Sequence, residues 1–202
     1  MVNLWRLPIL SAAIFAAWKW DARRKYKWTK SWISPEDRWL DIGSGPGSFL
    51  SVSRENGHNV QGLDVRPVHY RDELRAHIYD GVVMPYEDKS YEGAFLLTML
   101  HHTPDPELIL HEAARTARRL IIIEDVYDNR LGEIYTKLTD KVTNLEFRGH
   151  PHTNRTDAEW KDTFARLGFE LIYAKTHRLA LIYQQAVYVV DTPPLNQKRG
   201  NG

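Results

Sequence analysis

The chain has 202 residues, 43% of them hydrophobic and 26% charged, the ordinary make-up of one globular domain large enough to bury a core. It contains no cysteine, which excludes a disulfide framework, a thiolate metal site and a cysteine nucleophile, and fits a cytoplasmic protein. A net charge of +1 conceals an uneven distribution: residues 1–30 hold seven Lys and Arg against Asp21 alone, and six of the seven tryptophans lie within the first 39 residues.

The first element is therefore an unusual arm, residues 1–37. Leu7 to Trp18 is apolar apart from Ser11, but twelve residues at about 1.5 Å each reach only roughly 18 Å, short of a hydrocarbon core of about 30 Å. No small-residue cleavage site follows, and the basic stretch Lys19–Lys30 is the wrong flank for a signal peptide. Three readings remain: helices capping an acceptor pocket, an interfacial segment making peripheral membrane contact through residues 1–30, or a nucleic-acid contact through Arg23-Arg-Lys-Tyr-Lys-Trp28. The first two are compatible with each other and with a lipid-like ligand; the third is the least favoured.

From residue 38 to 191 strand-like and helix-like segments alternate. Arg38–Ile42 reads as a strand entering a glycine turn, Ser48–Asn56 as a helix stopped by Gly57, and Val60–Asp64 as a second strand. A short helix after Pro67, a strand near His77–Asp80 and a buried strand Ala94–Thr98 follow. The next helix, Asp105–Ala117, carries Pro106 in its first turn. Leu120–Glu124 is the most β-branched run and reads as a central strand. Thr156-Asp-Ala-Glu159 is a capping box opening a helix through Leu167, stopped by Gly168. Glu170–Thr176 and Gln184–Asp191 close the pattern as an antiparallel pair, and residues 192–202 read as a disordered tail. Such alternation argues for an α/β fold with a parallel sheet covered on both faces.

The chemistry concentrates in Asp41-Ile-Gly43-Ser44-Gly45-Pro-Gly47-Ser48, where a strand turns into a helix. Glycines there let the backbone turn sharply and let a ligand lie against bare main chain. Asp64, at the end of the next strand, is placed to accept both hydroxyls of a ribose. A dinucleotide site shares these features, but its G-x-G-x-x-G pattern needs Gly or Ala where Ser48 stands, and it has no use for Asp41. A carboxylate at Asp41 suits a ligand with a cationic amino group and a sulfonium.

These residues resemble the first signature of class I S-adenosylmethionine-dependent methyltransferases, and residues 38–190 follow that family's order, closest to its small-molecule, quinone-biosynthesis-like members. The resemblance implies a doubly wound, Rossmann-like seven-stranded sheet with an antiparallel last strand, plus the N-terminal helical arm. It places Asp41, Gly43 and Gly45 at the methionine end of S-adenosylmethionine, Asp64 at the ribose and Asp80 at the adenine, with Ser44, Gly47, Val65 and Gly81 also among the cofactor-binding residues. Leu97, Thr98 and the pair His101-His102 fall at the end of the fourth strand beside the cofactor. The family's Lys-Pro-Gly-Gly turn before the fifth strand is replaced here by Thr116-Ala-Arg-Arg119.

Methyl transfer from a sulfonium is an in-line displacement that proximity and alignment accelerate, and a general base is needed only for an oxygen or protonated nitrogen acceptor. His101, His102, His150 and His152 are the candidates; the last two lie in the RGHPHTNRT loop, where this fold builds its acceptor pocket. Capping and packing account equally well for His101 and His102. Asp125 and Tyr127 follow the central strand and point at the same pocket. The His150–His152 spacing lacks a carboxylate cluster, so no metal is expected. The tetrad Leu97-Thr-Met-Leu100 after the fourth strand argues against nucleobase or glutamine amino groups as acceptors. The expected function is methyl transfer to a small-molecule or lipid-like acceptor, with an RNA-directed enzyme and a non-catalytic cofactor-binding module as alternatives.

Overall fold

A computed structural model describes residues 8–127, 153–179 and 183–194. Helix α1 spans Pro8–Thr29 and passes into one 3₁₀ turn at Lys30–Trp32. Its buried side chains Ser11, Phe15, Ala22, Lys25 and Thr29 recur three, four or seven residues apart, which draws a single stripe along the helix. That stripe packs beside α2 (Ser48–Glu55); Phe15 stacks on Tyr70 with centroids 4.1 Å apart, and Trp28 stacks on His177 at 4.0 Å. No helix among the described residues is long and apolar enough to cross a membrane.

The strands are β1 (Arg38–Ile42), β2 (Asn59–Asp64), β3 (His77–Ile78), β4 (Tyr91–Leu97), β5 (Ala117–Val126), β6 (Glu170–Arg178) and β7 (Gln184–Asp191). They form one seven-stranded sheet in the order β3-β2-β1-β4-β5-β7-β6, with β7 antiparallel to both its neighbours. Side chains alternate across it. Leu40, Ala94, Leu96, Leu120, Ile122 and Tyr188 face α3 (Pro106–Thr116) and α4 (Asp157–Arg166). Trp39, Phe95, Ile121 and Val189 face α1 and α2. Strand β5 is buried on both faces, and each of its Leu and Ile side chains contributes roughly 1.5–3 kcal/mol through that burial.

Several boundaries differ from the sequence expectation, each for a local reason. The helix expected after Pro67 is one 3₁₀ turn at Asp72–Leu74, and β3 shrinks to two residues at the sheet edge. Strand β5 is ten residues long instead of five because its pairing with β7 runs from Arg119 to Val126. Helix α3 runs straight into β5 without a glycine turn. Its last carbonyls are met by Lys89, whose backbone N–H donates to Arg115 O (2.8 Å) and whose Nζ donates to Ala114 O (2.6 Å) and Ala117 O (3.2 Å). Thr192, expected to begin the tail, instead donates its N–H to Arg118 O at 2.9 Å. The capping box forms as expected: Glu159 N–H donates to Thr156 Oγ1, and Thr156 N–H donates to Glu159 Oε2.

One close approach is decisive for the sheet. A Cβ on Gly93 of β4 would sit 2.2 Å from the indole of Trp39 on the neighbouring strand. Gly93→Ala should therefore destabilise the protein by about 2 kcal/mol or more, because backbone and a buried ring cannot both yield. Gly57→Ala, where a Cβ meets nothing within 4 Å but the backbone sits at φ +83°, should cost only the left-handed strain of about 1 kcal/mol, so urea unfolding of the two variants separates backbone strain from the clash with the indole.

Candidate cofactor and acceptor site

The site lies at the carboxyl ends of β1, β2, β4 and β5, where an open parallel sheet leaves a crevice. The chain leaves β1 and turns through Gly43–Gly47 into α2, with Gly43 N–H donating to Leu63 O (2.8 Å). Gly43 backs onto Met99 after β4, whose side chain a Cβ would approach to 3.0 Å. Gly45 has φ +53°, and a Cβ there would meet nothing within 4 Å, so this turn borders open space.

Asp64 binds the loop directly: Gly45 N–H donates to Oδ2 (2.8 Å) and Arg66 N–H donates to Oδ1 (3.0 Å). Each oxygen retains a lone pair for a further donor. Val65, next to it, is 48% exposed, and a Cβ on Gly81 would lie 3.2 Å from its Cγ1, so the loops after β2 and β3 meet. Ile78, Val82 and Val83 are exposed beside them, an apolar rim suited to a flat aromatic ring. Asp80 is itself exposed and accepts from the N–H groups of Val82 (2.8 Å) and Val83 (3.0 Å), which shapes its own loop.

Asp41 is the anomaly. Its side chain is 2% exposed, and its Oδ2 has no hydrogen-bond partner. Burial, and then the nearby Asp64 charge, push its carboxyl up to about 8, against the pull of Lys25 and Arg54. Ser44 Oγ is likewise buried without a partner. Unmet polar atoms beside an open glycine turn are what a polar ligand would satisfy.

The far side of the crevice is built on β4 and β5. Thr98 follows β4 in the left-handed region (φ +53°), with its N–H bonded to Ile123 O at 2.6 Å. Leu97 and Thr98 are half-buried at this end. Glu124 of β5, fully buried, accepts from the N–H groups of Met99 (3.0 Å) and Leu100 (2.8 Å) and from His101 Nδ1 (2.5 Å). His101 is thus an internal strut, 1% exposed, while its neighbour His102 is half-buried. Asp125 points to the opposite face of β5, where Tyr183 OH (2.9 Å) and Gln185 Nε2 (2.8 Å) donate to Oδ1 and burial pushes its carboxyl up. Tyr127 OH donates to Asn154 O at 3.3 Å. His150 and His152 lie outside the described residues. No His, Cys, Asp and Glu group placed to hold a metal occurs among the described residues.

Helix α1 closes the same end. Lys25 Nζ donates to Thr98 Oγ1 (2.8 Å) and pairs with Asp21 (3.0 Å), and Arg24 Nη2 donates to Gln185 Oε1 (3.0 Å); away from the crevice, Lys19 pairs with Glu55 at the far end of α2. Sequence reasoning missed both Lys25 and Glu124. Lys25 was hidden in a basic run, and Glu124 was read only as the end of an apolar strand.

The pH dependence of Asp41 has a definite sign. A carboxyl raised from 3.8 to about 8 favours the fold below its unfolded value, and that contribution is lost as pH rises toward 8. Asp41→Asn cannot ionise. Its melting temperature should gain on wild type by roughly 5 °C or more between pH 5 and pH 8.5, measured by calorimetry without ligand.

Residues 15–174 match the methyltransferase domain family. Among curated proteins the chain resembles Methyltransferase GfsG of Streptomyces halstedii, 25% identical over 129 residues, which are 56% of this chain and 46% of that protein. The chain thus spans about half the length of that relative. In fold it is similar to an S-adenosylmethionine-dependent methyltransferase of Methanosarcina mazei (TM-score 0.62, 18% identity, 81% of this chain and 95% of the other). It is also similar to the magnesium protoporphyrin IX methyltransferase of Synechocystis, solved with bound S-adenosylhomocysteine (TM-score 0.63, 16% identity, 86% and 83% covered). The chain belongs to the methyltransferase domain family and has the class I fold of S-adenosylmethionine-dependent methyltransferases.

Proposed function

We propose that the protein transfers a methyl group from S-adenosylmethionine to a small-molecule acceptor seated between α1 and the carboxyl ends of β4 and β5. The observation that carries this reading is the buried, partnerless oxygen of Asp41 beside the open space at Gly45. When bound, the cofactor supplies an electrophilic methyl on a sulfonium. The chain's own residues do the rest. Asp41 takes the ammonium, Asp64 the ribose hydroxyls, and Val65, Ile78 and Val82 flank the adenine, with Gly43, Ser44, Gly47 and Gly81 shaping the loops. Leu97 and Thr98 border the face from which the acceptor arrives, and α1 keeps water out, so that alignment supplies most of the acceleration.

His101 holds the turn after β4 through Glu124, which makes it a positioning residue in this reading. His102 is the candidate base among the described residues, needed only for an oxygen or protonated nitrogen acceptor; His150 and His152 keep the same candidacy. The likeness to an enzyme named for magnesium protoporphyrin IX supports a small-molecule acceptor. Nucleic acid is disfavoured because Arg24, Lys25 and Trp28 of the basic aromatic run are engaged within the protein.

A second reading, peripheral membrane contact with a lipid-like acceptor, has one observation in its favour. The outward face of α1 is apolar at Ala12, Ala13, Ala16, Ala17 and Trp20, then basic at Arg23 and Lys27, with exposed Lys30 just beyond its end. On this reading the protein floats with anionic vesicles and releases as salt rises. Recovery only in the soluble fraction at every salt concentration would leave α1 as a lid alone. For the primary reading, calorimetry should show S-adenosylhomocysteine binding and none of NADH. Asp64→Ala should weaken that binding by roughly 1.5–3 kcal/mol, the scale for hydrogen bonds to a charged acceptor.

A further inference from the structure

Helix α1 reaches across three strand ends with two successive residues. Lys25 Nζ donates to Thr98 Oγ1 at the end of β4 (2.8 Å), and Arg24 Nη2 donates to Gln185 Oε1 at the start of β7 (3.0 Å). Strand β5 lies between β4 and β7, and Asp125 near its end shares the face of Ile121, so it points toward α1. It stands two positions past Ile123, whose carbonyl takes the Thr98 N–H, and hence roughly 7 Å further along the strand. The carboxyl is 4% exposed, and one oxygen carries its protein contacts. Oδ1 accepts from Tyr183 OH (2.9 Å) and Gln185 Nε2 (2.8 Å), whereas Oδ2 takes no donor among the described residues. Nor is Oδ2 sealed in, as Asp41 Oδ2 is, so its lone pairs meet space that a ligand can enter. The neighbouring hydrogens are spent: Tyr183 gives its own to Oδ1, and Gln185 Nε2 divides its pair between Oδ1 and Tyr183 OH (3.3 Å). This wall presents an acceptor and is completed by a donor. Burial pushes the carboxyl up, a cost that a further hydrogen bond to the anion offsets.

We infer that Asp125 Oδ2 selects the methyl acceptor by accepting a hydrogen from its reacting atom, so that the acceptor class is a hydroxyl or an amine that carries hydrogen. This rests on the proposed methyltransferase reading and deepens it. One hydrogen bond to the carboxylate holds the heteroatom at the end of β5 and leaves its lone pair free for the incoming methyl group. A tertiary amine or a thioether has no hydrogen to give and is disfavoured. Tyr183, a hydroxyl already seated on Oδ1, shows that this carboxylate takes such a partner at an ordinary distance. An aspartate that only anchored the start of β7 would use Oδ1 alone and would be indifferent to a ligand's hydrogen.

The test titrates small probes into the full chain saturated with S-adenosylhomocysteine, followed by NMR of the probe. Phenol is compared with anisole, and aniline with N,N-dimethylaniline; the second probe of each pair keeps the ring and lacks the hydrogen. Wild type should prefer the hydrogen-bearing probe of at least one pair by about 10-fold or more, the scale of a hydrogen bond to a charged acceptor. The pair that shows the preference tells a hydroxyl acceptor from an amine. Asp125→Asn is the informative variant. Its amide oxygen keeps the two donors at Oδ1, while its nitrogen puts hydrogens where Oδ2 offered lone pairs. The preference should fall below about threefold, with S-adenosylhomocysteine affinity unchanged. A preference that survives in Asp125→Asn overturns the inference. So does a wild-type preference below about threefold in both pairs, or no binding of any probe, and in each case the methyltransferase reading stands. An Asp125→Asn protein that also loses S-adenosylhomocysteine affinity overturns it too, the mark of a purely structural aspartate. If wild type does not bind S-adenosylhomocysteine, the reading of the glycine loop as a cofactor site falls, and the acceptor site with it.

Discussion

Carboxyl groups buried at the carboxyl ends of the strands set the terms for everything around them. Removing such a group from water is costly unless donors replace the lost hydration. Asp64 on β2 is answered by the N–H groups of Gly45 and Arg66, and that pairing pins the glycine loop. Glu124 on β5 is answered by Met99, Leu100 and His101, which fixes the turn after β4. Asp125 is answered by Tyr183 and Gln185, which anchors the start of β7. Three of these groups thus shape the rim of the crevice. Asp41 alone keeps an unanswered oxygen sealed from solvent, and it stands where the loop opens. The fold's stability and its affinity for a ligand draw on this same inventory of donors, so they oppose each other at that residue.

The N-terminal helix completes the layering. Without α1, Trp39 and Phe95 would lose Phe15 and Ala22 from the cluster they share, and one face of the central strands would be thinly covered. The helix meets that need while also carrying charged groups to the end of β4. Its stripe serves packing in its first half, through Phe15, and polar contact in its second, through Lys25. Cover and site are consequently built from one element.

Much of the architecture was legible in the sequence because the signals were local. Glycine at 43, 45 and 47, a carboxylate ending each of the first two strands, and the Thr156–Glu159 box all act within a few residues of themselves. What escaped depends on pairing. Glu124 gains its role only once Leu97 lies beside Ile123, which sets its carboxylate under the turn at Met99. The length of β5 depends on β7 in the same way. Lys25 was partly legible: positions 11, 15, 22, 25 and 29 share helical spacing, so a lysine stands on the inward stripe. The basic residues around it drowned that signal. The missing glycine turn before β5 is explained by Lys89, a residue nearly thirty positions upstream and beyond the reach of local patterns.

The position of β7 has a consequence for how the chain is made. This strand, 184–191, sits between β5 and β6 although it follows both in sequence. Until it emerges, β5 presents the edge Leu120-Ile-Ile-Ile123 with unpaired backbone groups and no charged gatekeeper inside the run. A nascent or truncated chain lacking residues 184–191 therefore carries a flat apolar edge able to recruit strands from other molecules. Antiparallel closure by β7 is then as much a safeguard during synthesis as a feature of the finished sheet, and truncation short of Asp191 favours aggregation over orderly loss of function.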